Sequence, residues 1–110
     1  MKNLNLLISC VTQTNEERNI LLSVALNKKE GKDVPKICLV SVGSHGKSLL
    51  SEIYNEVLGY GLCTSNESLG LNSNTIVVEV SHDNKISDYA LDFNKFKEEC
   101  KKELKLFIGE

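Results

Sequence analysis

The chain lacks the features that would assign it at once to several large functional classes. Its 110 residues include 13 Lys and Arg against 15 Asp and Glu, and no window is dense in basic residues, so the composition does not favour a nucleic-acid partner. Its apolar runs are too short for a membrane span, and the opening segment lacks a signal-peptide cleavage pattern. No repeat or linker is visible, and the length predicts one domain over residues 1–110.

The cysteines are few and lie far apart. Cys10, Cys38, Cys63 and Cys100 form no C-x-x-C pair, and a zinc site or a disulfide framework requires closer clustering. Three of the four lie in apolar runs, where a cysteine behaves as a small buried hydrophobe. We therefore expect free thiols, no bound metal, and a cytoplasmic location that can extend to the nucleus.

Alternating apolar and polar residues predict strands in the first part of the chain. Residues 4–10 alternate with a period of two, and residues 20–26 do so again after the polar stretch TQTNEER. Leu and Ala in the second stretch also allow a helix, but the alternation favours a strand. Residues 37–42 are apolar on both faces, which is typical of a central strand covered on both sides. Short polar loops between these three strands predict an antiparallel meander.

The second half of the chain shows helical spacing in two places. Apolar residues at 49, 50, 53, 54, 57 and 58 predict a helix that ends at Gly59 and Gly61. The other predicted elements are a short edge strand within residues 62–70, a strand at residues 75–80 and a helix along residues 89–107 with Ser87 as its N-cap. This order predicts an α+β fold, with two helices packed on one face of an antiparallel or mixed sheet.

Residues 43–48, GSHGKS, join the third predicted strand to the first predicted helix. The full phosphate-binding pattern G-x-x-x-x-G-K-[ST] fails, because Ser41 stands where its first glycine belongs. The shorter pattern G-[ST]-[NH]-G-K-[ST] fits, and it resembles the ATP loop of the Mur ligase and folylpolyglutamate synthetase family. That resemblance implies that the loop amides and Lys47 hold phosphates, with Glu79 as a metal-binding acid. The implied cofactor-binding residues are Gly43, Ser44, Gly46, Lys47 and Ser48, of which Ser48 would bind Mg²⁺.

The same six residues also suit a strand-to-helix junction that binds nothing. Ser44 can cap the helix, Gly43 can adopt a positive φ, and Lys47 would be solvated. His45 and His82 are expected in exposed loops, and nothing in the sequence places either beside Cys63 as a catalytic pair. On this interpretation, which we take as the main one, the chain has no catalytic residues and no cofactor.

A second resemblance covers more of the chain. Over roughly residues 37–105, the sequence resembles the small proteasome assembly chaperones, whose third and fourth members act together as a heterodimer. The features that carry it are strands that end in Val42-Gly43 and Val80-Ser81, an amphipathic helix between them, and the stretches CTSNESLG (63–70), SDYAL (87–91) and NKFKEE (94–99).

The chaperone resemblance implies a protein without enzymatic activity. It would form half of a heterodimer with a second small chaperone of similar fold, bind a 20S proteasome α-subunit and promote assembly of the α-ring. Leu7, Val11 and Leu21 lie opposite the main apolar stripe of the first two predicted strands, so we expect them to be exposed and to contact the partner. The alternative is a small nucleotide-binding protein that uses Gly43 to Ser48.

Overall fold

Four helices and three strands make up the described part of the chain. The computed structural model describes residues 1–34, 36–41, 46–59, 62–65, 76–79 and 92–109. The elements are α1 (Lys2–Val11), α2 (Asn15–Glu30), β1 (Ile37–Val40), α3 (Lys47–Leu58), β2 (Cys63–Ser65), β3 (Ile76–Glu79) and α4 (Phe93–Ile108).

Residues 2–11 and 15–30 are helical, so the two strands predicted at residues 4–10 and 20–26 are wrong. The buried residues of α1 are Leu4, Leu7, Ile8 and Val11, which follow the spacing of one helical face. Helix α2 begins at Thr14, whose hydroxyl oxygen accepts a hydrogen bond from the Glu17 amide at 3.1 Å. It ends at Gly31, which adopts a left-handed φ of 72°.

The described sheet is parallel throughout, so the predicted antiparallel or mixed sheet with its meander is wrong. Strand β1 lies in the centre, between β2 and β3, and both pairings are parallel. All four residues of β1 are buried, as is typical of a parallel strand covered on both faces. The central strand predicted at residues 37–42 is therefore confirmed over Ile37–Val40, and β1, α3 and β2 form a βαβ unit.

Helix α4 packs against α1, α2 and α3. Its residues Phe96, Cys100 and Leu104 are buried, and they join a core cluster that also includes Leu39 of β1 and Val78 of β3.

The predicted helix at residues 49–58 is confirmed by α3, which ends at Gly59 as expected. The C-terminal helix is confirmed from Phe93 onwards, with Asp92 as its N-cap; the predicted cap, Ser87, lies outside the described residues.

The residues expected to contact a partner lie in the core. Leu7, Val11 and Leu21 are each 0 % exposed and belong to the main hydrophobic cluster. The expectation that they lie on an uncovered sheet face is wrong, because both segments are helices whose apolar faces point inward.

None of the helices in the described part of the chain combines the length and the apolar character needed to cross a lipid bilayer.

Candidate phosphate-binding site

The candidate site lies where the central strand passes into α3. Strand β1 ends at Val40, and the N-cap of α3 is Gly46, with a left-handed φ of 84°. Parallel strands share one carboxyl edge, and the Ser41 amide donates to the Ser65 carbonyl oxygen at 3.1 Å across the ends of β1 and β2. In parallel sheets, ligands bind in the crevice outside this edge.

Lys47 is buried at this edge. Its side chain is 5 % exposed, and its ammonium group donates to the carbonyl oxygens of Ser41 at 2.6 Å and Ser65 at 2.8 Å. The expectation of a solvated Lys47 is therefore wrong. A buried ammonium ion is costly unless polar groups satisfy it, and here the ends of two parallel strands supply carbonyl oxygens.

The electrostatics of the helix start favour an anion. Lys47 occupies the first turn of α3, at the positive end of the helix macrodipole, which is unfavourable for a cation and favourable for an anion. This turn has no acidic residue, and the N-cap Gly46 has no side chain that could accept from the first amides. A phosphate group placed here would interact favourably with both the helix dipole and Lys47.

Two further predicted residues lie at the same edge of the sheet. Ser48 follows Lys47 in the first turn of α3 and is exposed. Glu79 is the last residue of β3, and its register partner is Val40, the last residue of β1. The backbone of Glu79 therefore lies at the carboxyl edge of the sheet, beside the end of β1.

Gly43, Ser44, His45 and His82 lie outside the described residues. Within the described ranges, no group of three His, Cys, Asp or Glu side chains could hold a metal ion by itself. The carbonyl of Ser65 is the site group that the sequence analysis missed, because a main-chain oxygen 18 residues from Lys47 leaves no signal in residue type or spacing.

Comparisons with family models, with curated proteins and with solved structures found no match to this chain.

Proposed function

We propose that the chain binds the phosphate groups of a nucleoside triphosphate, with Mg²⁺, at the start of α3. The observation that carries this proposal is the burial of Lys47 between the carboxyl ends of two parallel strands. A lysine kept out of water at the positive end of a helix supplies a fixed cation where an anion is already favoured. The GSHGKS sequence adds glycines, whose missing side chains let a backbone approach a phosphate closely.

Lys47, Ser48 and Glu79 each have a role in this proposal. Lys47 pairs with a phosphate as a point charge, and the first amides of α3 donate to the same group. Ser48 supplies a hydroxyl oxygen for Mg²⁺, which prefers oxygen ligands and keeps several waters. Glu79, the last residue of the neighbouring strand β3, is the acid to which the resemblance to the Mur ligase loop assigns the metal.

Thermal denaturation with and without nucleotide tests the proposal. MgATP or MgGTP should raise the melting temperature, since a ligand at about a hundred times its Kd stabilises the native state by about 2.7 kcal/mol. Lys47→Met should reduce that shift to about half or less, because a charge-assisted hydrogen bond is worth about 1.5–3 kcal/mol. Lys105→Met, which removes an exposed lysine of α4, is the matched control and should keep the full shift.

Two outcomes would contradict the proposal. One is the absence of any shift with either nucleotide at millimolar concentration. The other is an equal shift in the parent and the Lys47→Met variant, provided that circular dichroism shows both to be folded.

The assembly-chaperone function stays a prediction and is the alternative to nucleotide binding. It was expected on an antiparallel meander with Leu7, Val11 and Leu21 at the surface, and neither feature is present in the described residues. Either function fits a cytoplasmic location, where nucleoside triphosphates are available and thiols are kept reduced. If the chain is a chaperone, nucleotide should leave its melting temperature unchanged. Affinity capture from cell extract should then recover a second small chaperone of similar fold.

A further inference from the structure

Two cysteines that are far apart in the sequence lie side by side in the sheet. Cys38 of β1 and Cys63 of β2 are register partners in the parallel pairing, and their sulfur atoms are 3.0 Å apart. Neighbouring strands are about 4.8 Å apart, which lies within the Cα separation of about 4.4–6.8 Å that a disulfide requires. The register and the sulfur contact therefore place the two thiols where a disulfide between neighbouring strands can form.

The two thiols differ in their access to solvent. Cys38 is 0 % exposed and Cys63 is exposed. Side chains alternate along a strand, so Cys38 lies on the face opposite Ile37 and Leu39, which belong to the main core cluster. A reagent in solution can therefore reach Cys63, and Cys38 lies in contact with it from the buried side.

The buried Cys38 thiol is poorly suited to react first. Burial, with a further contribution from the contact with Cys63, raises the pKa of the Cys38 thiol to about 12, and the charge of Lys47 acts in the opposite direction. Because the thiolate is the reactive form, Cys38 is a poor first nucleophile. It is suited to the second step, in which its partner sulfur is already in contact.

We propose that Cys38 and Cys63 form a redox-active dithiol that small-molecule disulfides oxidise to a Cys38–Cys63 disulfide. In the first step the Cys63 thiolate attacks the small disulfide, forms a mixed disulfide and releases one thiolate. In the second step the Cys38 sulfur attacks the Cys63 sulfur and expels the second thiolate, which takes up the proton that Cys38 loses. The two cysteines lose two electrons, and the small disulfide is reduced to two thiols.

This inference stands independently of the phosphate site. Reversible disulfides in a reducing compartment are commonly catalytic or redox-sensing, and this disulfide would join β1 to β2 close to Ser41 and Ser65. Those two carbonyls hold Lys47, so oxidation would fix the spacing of the strand ends that support it.

Intact mass measurement after treatment with oxidised glutathione tests the proposal. A Cys10→Ser background removes the half-buried thiol of α1 and leaves the buried Cys100 unchanged. We expect this protein to lose the mass of two hydrogens and to retain no glutathione, and peptide mapping should identify a Cys38–Cys63 cross-link. Adding Cys38→Ala should trap one glutathione on Cys63, and adding Cys63→Ser should leave the protein unmodified.

Three results would overturn the proposal: a glutathione adduct on Cys63 that persists while Cys38 is present, a cross-link that involves Cys100, or no reaction under native conditions. Peptide mapping of the Cys10→Ser protein decides the pairing even if the Cys38→Ala variant fails to fold.

Discussion

Lys47 carries its charge into the interior of the chain, between the ends of two strands. The sequence contains the Gly-Lys-Ser spacing that suggests a phosphate site, but the spacing alone is equally compatible with a solvated lysine. Whether Lys47 is buried or solvated depends on Ser65. Its carbonyl reaches Lys47 because a parallel crossover brings β2 beside β1. Residue type could therefore indicate the candidate site, and only the fold could show that Lys47 is buried within it.

Tyr54 is a second residue whose buried polar group can be tested. Its hydroxyl donates to the Leu21 carbonyl oxygen at 2.8 Å, and burial raises its pKa well above the ordinary value. We expect Tyr54→Phe to lower the free energy of unfolding by about 1–2 kcal/mol at neutral pH, because a buried hydrogen bond is lost.

The raised pKa of Tyr54 makes the difference in the free energy of unfolding between the parent and Tyr54→Phe depend on pH. The folded chain keeps Tyr54 neutral, whereas the unfolded chain ionises it near pH 10. The stabilisation is therefore complete below about pH 10 and is lost as the pH rises above it. Urea denaturation of both proteins between pH 7 and 11 should show the difference narrowing, and a constant difference would contradict the buried neutral phenol.

At the scale of elements, the first two helices show why the alternation of apolar residues was misleading. In α1, Leu4 and Ile8 fit both a period of two and a helical face, and Leu7 and Val11 complete the helical face. For α2 the sequence did contain a distinguishing signal, since Thr14 and Glu17 have the T-x-x-E spacing of a capping box. The Thr14 hydroxyl accepts from the Glu17 amide and donates to the Glu17 carboxylate. The elements from β1 onwards were predictable, because an apolar run and clear helical spacing have fewer alternatives.

The cap at Thr14 can be tested directly. Thr14→Ala removes the oxygen that accepts from the Glu17 amide, so we expect a loss of about 1 kcal/mol in the free energy of unfolding. Asn19→Ala, at an exposed position within the same helix, is the control and should be neutral or slightly stabilising. Equal stability of Thr14→Ala and the parent in urea denaturation would argue against a helix that begins at this residue.

For the molecule as a whole, the fold differs from the predicted one mainly because its first two segments are helices and not strands. Taking the first two segments as strands led to a meander with one uncovered face, and hence to a partner surface at Leu7, Val11 and Leu21. Once those segments are helices, the same side chains fill the core, and β1 becomes the central strand of a parallel sheet. The loop after β1 then follows the carboxyl end of a parallel strand, where ligands bind.

Because Leu7 lies in the main hydrophobic cluster, we expect Leu7→Asp to unfold the chain. An unpaired carboxylate in the core removes several kcal/mol, a large fraction of a typical stability of about 5–15 kcal/mol. Leu106→Asp, at a position that is 78 % exposed on α4, is the matched control and should remain folded. If far-UV circular dichroism shows the Leu7→Asp protein to be folded, Leu7 would have to be exposed, and the interface prediction would gain support.

The most direct test of phosphate binding at the start of α3 is a nuclear magnetic resonance titration of the ¹⁵N-labelled chain with MgATP and, separately, MgGTP. Binding at Lys47 predicts saturable shifts of the Gly46, Lys47 and Ser48 amides, with smaller shifts at Ser41 and Ser65 and none along the exposed face of α4. These shifts should weaken in Lys47→Met and persist in Lys105→Met. No shift with either nucleotide, or shifts confined to α1 and α2, would contradict the account.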